Sequence, residues 1–492
     1  MTFVPLFAHR AAGLILLFGA ATLAFAASPT SPNIVFIMAD DLGYTDVGCF
    51  GSKYYETPNI DRLATQGMRM TNHHMHQNCA PTRAALMSGQ YSPRTGIYTV
   101  GNIHRFENSA TRPLRSVDNV TDLPLDRVTL AKTLKSAGYA TAMFGKWHLG
   151  NSAPYHPSQR GFDEAIVANG VHFDFPTNPP VAYPKGQYLA DFLTDRAVDF
   201  IQRHHQERFF LYVPHFGVHS PHQAKPELVA KFKDKPGVGG HNDPTYAAMI
   251  ASVDESVGRV MAKLDELKLT DNTVVIFVSD NGGVGGMRRE GIEGGNITDN
   301  APLRAGKGSL YEGGTRVPFI VRWPGRIPAG STCDVPTIHV DLYPTLTAIA
   351  GAKLPPPDQQ ILDGENLLPL WRQERTTLAR EAIYQHFPGY LGAGGDTFRT
   401  MPVSLIHAGD WKLMEFLEDG RLELYNLRND IGESNNLAAT QPERTKELHA
   451  KLKAWRTAIK APMPTPNPKA GAPASAAKDG AKKKKGAKKA AP

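Results

Sequence analysis

Two acidic pairs, a cysteine and a few glycine-flanked cations carry the chemistry open to this chain. Asp40-Asp41 lies just past the apolar run Asn33–Met38, and Asp280-Asn281 lies just past another, Thr273–Val278. Three carboxylates and a carboxamide are hard oxygen donors, the set that holds Ca²⁺ or Mg²⁺. A single Asp in a loop is ordinarily a turn or helix cap. Two such pairs, each at a strand end, point instead to a cation. Neighbouring residues on a strand face opposite sides, so Asp40 and Asp41 can share an ion only where the strand has ended. Lys146 and His148 stand in Gly145-Lys146-Trp147-His148, and Lys307 stands in Gly306-Lys307-Gly308. His219 opens His219-Ser220-Pro221-His222, with His215 just upstream. Lysines so placed suit the neutralisation of anionic oxygens, and histidine suits proton transfer near neutral pH. Cys79 opens Cys79-Ala80-Pro81-Thr82-Arg83, a thiol four residues before a guanidinium.

Groups so scattered need a scaffold that gathers them. Besides the two runs above, Ala140–Phe144, Phe209–Val213 and Val317–Val321 have the apolar, β-branched texture of buried strands. Helix-like segments separate them: Asn59–Gln66, Thr129–Ala137, Tyr188–Arg203 and Tyr246–Leu267. This alternation predicts an α/β domain with a mostly parallel sheet. In such sheets the ligand site lies outside the carboxyl ends of the strands, where the polar clusters would converge. From about residue 376 the texture changes. Ala382–Tyr384, Val403–Ile406, Trp411–Phe416 and Leu422–Tyr425 read as short antiparallel strands, with Asp419-Gly420 as a hairpin turn. A helix carrying Leu448, Leu452, Trp455 and Ile459 on one stripe follows.

Residues 1–26 have the form of a secretory signal: Arg10, an apolar run from Ala11 to Ala26, and the small-x-small site Ala24-Phe25-Ala26. The run is shorter than the roughly 20 residues a membrane span needs. An exported protein, periplasmic or secreted, is expected, with no transmembrane segment in the mature chain. The expected divisions are a leader 1–26, a catalytic domain 27–375, a C-terminal α+β subdomain 376–460 and a disordered Lys/Ala/Pro-rich tail 461–492. Eight lysines and a single acid, Asp479, fall in that tail, so the net charge of +7 belongs to the ends of the chain and the body is close to neutral. That argues against nucleic acid as a partner. Three cysteines, Cys49, Cys79 and Cys333, do not make a disulfide framework. Cys49 and Cys333 either pair or stay as small buried groups.

The cysteine run, continued by Leu86, Ser88 and Gly89, resembles the signature of the type I, formylglycine-dependent sulfatases. The resemblance extends in family order from about residue 32 to 440. It takes in Thr57–Ala64, Gly145–Gly150, Ser279–Gly283, Gly306–Gly308, Tyr311–Gly314 and Leu424–Ala438. It implies an alkaline-phosphatase-like fold and hydrolysis of a sulfuric ester on a sulfated carbohydrate or aryl sulfate. It further implies that Cys79 is oxidised to formylglycine by a separate maturation enzyme acting on the unfolded chain. Asp40, Asp41, Asp280 and Asn281, with the oxidised Cys79, would bind a divalent ion, usually calcium, with magnesium as the alternative. Arg83 would hold the nucleophile's hydrate, Lys146 and Lys307 would grip sulfate oxygens, His148 would assist the hydrate, and His219 would protonate the leaving alcohol. His215 and His222 are expected nearby, Arg288, Arg289 and His386 against the rest of the substrate, and His73, His74 and His76 in the pocket wall or at the surface. The segment His215–Glu227 is similar to that of N-acetylgalactosamine-6-sulfatase-type members. Two other readings stay open: a phosphoester or phosphonate hydrolase of the same superfamily, and a silent carbohydrate-binding protein with an unmodified Cys79.

Overall fold

A computed structural model describes residues 1–3, 31–106, 112–286, 296–394, 397–468 and 470. Within them nine strands make the central sheet: β1 Asn33–Ala39, β2 Met68–Met70, β3 Ala140–Gly145, β4 Glu164–Ala168, β5 Thr177–Asn178, β6 Phe209–Pro214, β7 Thr273–Ser279, β8 Phe319–Arg322 and β9 Ser331–Cys333. Their order is β9-β2-β8-β7-β1-β6-β3-β4-β5. The five from β7 to β4 run parallel. Val35 of β1 lies opposite Val275 on one side and Leu211 on the other, and β3 carries the parallel set on to β4. The expected strand at Val317–Val321 is realised as β8, but antiparallel to β7. Its beginning, not its end, therefore lies at the edge where the parallel strands finish. Apolar content marks a buried strand without revealing its direction.

Each strand buries alternate residues into opposite layers, which is why all seven residues of β1 are buried. The helices that cover it are α1 Pro58–Thr65, α2 Cys79–Ser88, α3 Leu130–Ser136, α4 Leu189–Arg203, α5 Pro244–Glu266 and α6 Leu342–Ala350. Val35, Ile37 and Ala39 pack with α1, α4 and α5. Ile34, Phe36 and Met38 pack with α2, α3 and α6. Each aliphatic side chain so buried contributes about 1.5–3 kcal/mol. The helix starts follow the sequence: Thr129 accepts the Lys132 N–H ahead of α3, and Asp243 accepts the N–H groups of Thr245 and Tyr246 ahead of Pro244.

Beyond residue 376 come β10 Ile383–Phe387, β11 Leu391–Gly394, β12 Thr397–Thr400, β13 Val403–Ala408, β14 Trp411–Phe416 and β15 Leu422–Asn426, then helix α7 Pro442–Ala458. Strands β10-β13-β14-β15 form an antiparallel sheet, and β11 and β12 form a separate hairpin. Leu448 and Leu452 of α7 close one face against Ile406, Leu413 and Leu424. The other face sets Leu405, Met414 and Tyr425 against Tyr98 and Leu310 of the larger sheet's loops. The turn at Asp419-Gly420 joins β14 to β15, with Gly420 at φ 73°.

Residues 461–468, expected to begin a disordered tail, instead run along the body. Thr465–Pro466 pair with Leu114–Arg115, and the Pro462 carbonyl lies 2.9 Å from His386 Nε2. Proline and glycine content marks a lack of regular structure, not a lack of partners. Leader residues 4–26 and tail residues 469 and 471–492 lie outside the described residues. Among the described residues no helix is long and apolar enough to cross a membrane. All three cysteines are free, so the pairing of Cys49 with Cys333 is not made.

Candidate active site

The parallel strands deliver their polar clusters to one edge. Beyond β1, Asp40 is wholly buried and Asp41 adopts φ 65°, breaking the alternation that would have separated them. The Asp40 N–H donates to the Gly217 carbonyl at 2.8 Å and the Val218 N–H to the Asp40 carbonyl at 2.7 Å, fixing this loop to the one after β6. The Asp41 N–H donates to Asp280 Oδ1 at 3.2 Å, fixing it to the loop after β7. Cys79 is the first residue of α2, wholly buried, with Sγ 3.3 Å from Asp40 Oδ1 and 3.9 Å from Asp41 Oδ1.

Three ion pairs surround the thiol. Lys146 Nζ meets Asp40 Oδ2 at 2.5 Å, Lys307 Nζ meets Asp41 Oδ2 at 2.6 Å, and Arg83 Nη2 meets Asp280 Oδ2 at 2.7 Å. Arg83 also donates to the Lys146 carbonyl at 2.5 Å. Burial alone would raise the pKa of Asp40, but Lys146, with His219, Arg83 and Lys307, holds it well below the usual carboxylate range. For Asp41 burial again opposes, and Lys307 and His219 prevail. Asp280 is pushed up to about 6 by burial and by Asp40, against Arg83. Burial, Asp280 and Asp40 all drive the Cys79 pKa upward, so as a thiol it stays protonated and a weak nucleophile.

His148 sits at φ 63° with a buried Nδ1 that finds no partner. Burial, then Lys146 and Arg83, drive its pKa down, so the ring is neutral. His219 Nε2 is 3.7 Å from Asp41 Oδ2. Its pKa falls through burial, against the pull of Asp41 and Asp40. A cavity of about 270 Å³ opens over Cys79, with His148, His219 and Lys307 in its wall. The donor set fits a hard cation. Asn281 gives its amide hydrogens to Asp41 Oδ1 at 2.8 Å and to the Gly282 carbonyl, leaving its buried Oδ1 without a partner. Asp40, Asp41, Cys79 and His219 each place a donor atom within 4.8 Å of the others. Asp280 lies in the same layer, with its oxygens on Arg83 and the Asp41 N–H.

Other expected residues lie elsewhere. His215 is buried and turned onto Ser256 Oγ of α5 at 3.0 Å, away from the cavity. His222 sets its ring edge on Tyr246. His386 is buried between Ser404 Oγ and the Pro462 carbonyl and touches no cavity wall. Arg288 and Arg289 fall outside the described residues. His73, His74 and His76 are neither surface nor pocket wall: all three are core side chains. His74 meets Glu312 at 3.1 Å beside His407. This second cluster is an ion-pair core rather than a metal site, because Arg316 and Lys412 already occupy the Glu312 oxygens. Conversely, three contributors were not legible. His172 Nε2 lies 2.9 Å from the His219 carbonyl and fixes that loop. Asn78, whose type suits a helix N-cap, lines the cavity, as does Arg399 of β12.

This sheet and this edge define an alkaline-phosphatase-like hydrolase. Residues 32–352 match the family model "Sulfatase", and residues 306–459 match "N-sulphoglucosamine sulphohydrolase, C-terminal". The chain belongs to the sulfatase family and is a sulfatase. It is 35% identical to a protein named sulfatase from Formosa agariphila over 88% of this chain and 90% of that one. It is 34% identical to the N-acetylgalactosamine-6-sulfatase of Canis lupus familiaris over 89% of this chain and 82% of that one. The crystal structure of Ps i-CgsB in complex with k-i-k-neocarrahexaose superposes with a TM-score of 0.72 at 31% identity, covering 87% of this chain and 93% of that one.

Proposed function

We propose that this sulfatase releases sulfate from a sulfated carbohydrate after conversion of Cys79 to formylglycine. The observation that carries the reading is the seating of Cys79 against Asp40 and Asp41, with Lys146, Lys307, His148 and His219 around it. Hydrated formylglycine offers one hydroxyl for attack on sulfur and a second for the later release of sulfate. Asp40, Asp41, Asp280 and Asn281 would hold a calcium or magnesium ion, which supplies charge to the sulfate oxygens and to the nucleophile's oxygen.

The chain's own residues do the rest. Lys307, in the cavity wall, and Lys146, beneath it, stay charged and neutralise sulfate oxygens, an electrostatic contribution of the kind that dominates such transfers. Arg83 orients the side chain at position 79. His148, neutral in its buried setting, is ready to accept a proton at Nδ1, and His219, held by His172, is placed at the cavity wall to return one to the leaving alcohol. The name of the N-acetylgalactosamine-6-sulfatase relative and the carrageenan-type oligosaccharide in the superposed crystal structure support a sugar as the alcohol. Export of the chain and maturation by a separate oxidising enzyme complete the proposal.

The test is sulfate release from p-nitrophenyl sulfate by the periplasmically expressed protein, with calcium and with chelator, beside a Cys79→Ala variant and p-nitrophenyl phosphate. Activity confined to the sulfate ester and absent in the variant is the expected result. Phosphate ester turnover that exceeds it would give the phosphohydrolase reading instead. The mass of the Cys79 peptide reports aldehyde or thiol directly, and a thiol in active protein would sink the formylglycine step.

A further inference from the structure

Lys146, Lys307 and Arg83 each lie against a carboxylate of the proposed cation site, Asp40, Asp41 and Asp280 respectively. Arg399 is the exception. It stands on β12 of the β11–β12 hairpin and lines the same cavity as Cys79, His148 and His219. Nη1 donates to the Lys307 carbonyl at 2.5 Å, which ties it to the catalytic loop. Among the described residues no carboxylate lies within 4.0 Å of it, its one hydrogen bond is that of Nη1, and Asp41 is the carboxylate whose charge reaches it from further off. A half-buried guanidinium with no contacting counter-ion among the described residues carries a desolvation cost that a bound anion would offset. Its planar fork matches the oxygens of a sulfate or carboxylate.

The hairpin packs closely over the Lys307 loop. Gly308 sits at φ 89°, which side chains rarely adopt, and a Cβ there would meet the outer atoms of two side chains of the hairpin, Arg399 Cδ at 2.7 Å and Leu391 Cδ2 at 2.9 Å. The residue after Lys307 is thus kept bare where Arg399 and Leu391 cross it. Leu391 and Val100 add apolar surface to the cavity wall. Such a wall receives the C–H face of a ring while the guanidinium takes a charge projecting from it.

Resting on the sulfatase reading, we propose that Arg399 is a specificity-determining residue that binds a second anionic group, sulfate or carboxylate, carried beside the scissile ester. The substrate class is then a multiply charged glycan rather than a neutral sugar or aryl group bearing one sulfate.

The experiment compares kcat/KM on p-nitrophenyl sulfate, on singly sulfated hexosamines and on a panel of disulfated hexosamines and sulfated uronate disaccharides. Wild type, Arg399→Gln and Arg399→Lys are assayed side by side. Wild type should prefer members of the doubly charged group. In Arg399→Gln that preference should fall at least tenfold, mostly through KM, and Arg399→Lys should recover part of it. A wild type that favours singly charged substrates overturns the inference. So does a proportional loss on all substrates, which would place Arg399 on the reacting sulfate or in a structural role. A wild type that releases sulfate from nothing, phosphate esters being cleaved instead, fails the underlying reading and is distinct from either result.

Discussion

At the residue scale the active site is a set of charges held closer than water would permit. Asp40 and Asp41 are adjacent, buried and both ionised, because each has a lysine within 2.6 Å. Replacing Lys307 by Ala leaves Asp41 buried without its closest cation and removes one of the two lysines proposed to stabilise sulfate oxygens. We expect kcat to fall by about 10²–10³-fold, read from steady-state sulfate release. Cys79→Ala should lower it by on the order of a thousandfold or more, with the melting temperature little changed, since a small buried side chain replaces another. The acids, lysines and histidines were legible because each follows an apolar run or sits between glycines. Arg399 was not: Leu391-Gly392-Ala393-Gly394 ahead of it reads as a flexible connection, and no local pattern marks an arginine whose partners are some ninety residues distant. His172 was missed for a similar reason, since its role is a single contact to the His219 backbone.

At the scale of elements, the strand ends do the positioning, and they tolerate little. Gly145 closes β3 at φ 137°, where a Cβ would lie 2.0 Å from the Pro214 carbonyl oxygen of β6. Backbone cannot yield there as a flexible side chain could. Gly145→Ala should destabilise by about 3 kcal/mol or more and loosen Lys146, the next residue, so that chemical denaturation midpoint and kcat fall together. Leu452 of α7 is fully buried on the small sheet. Leu452→Ala should cost about 2–5 kcal/mol, measured by denaturation. The helix stripe and the four strands under it were readable from periodicity. The direction of β8 was not, because alternation is the same for either direction, and this mattered: an antiparallel β8 is what brings Lys307 to the site edge before the strand rather than after it.

The whole molecule carries buried imidazoles that the chemistry leaves unused. His339 and His407 are buried, and neither ring nitrogen of either has a partner. Their pKa values are pushed down, His339 by burial with His76 and His73, His407 by burial with His74. Above pH 6.5 both states are neutral there and stability is indifferent to pH. Below it the unfolded chain takes up protons that the folded chain refuses, so stability falls by about 1.4 kcal/mol per pH unit for each such histidine. Melting temperature followed from pH 7.5 to 5 should drop steeply below pH 6.5, and His407→Gln should flatten that slope. A slope unchanged by the substitution would place the acid sensitivity elsewhere.

The strand order has a consequence in time. β1 is made early, yet its neighbours are β6 and β7, so the strand that leads into Asp40 and Asp41 remains without its flanks until residue 279 has been synthesised. The hairpin that holds Arg399 follows more than a hundred residues later. Such long-range pairing is slow to form. Cys79, buried at the base of its cavity in the finished protein, therefore stays accessible on the growing chain for as long as the second half is still being made. Under the proposed maturation, how quickly that half arrives would set how long an oxidising enzyme has to reach it, and a chain that folded from local contacts alone would leave no such interval.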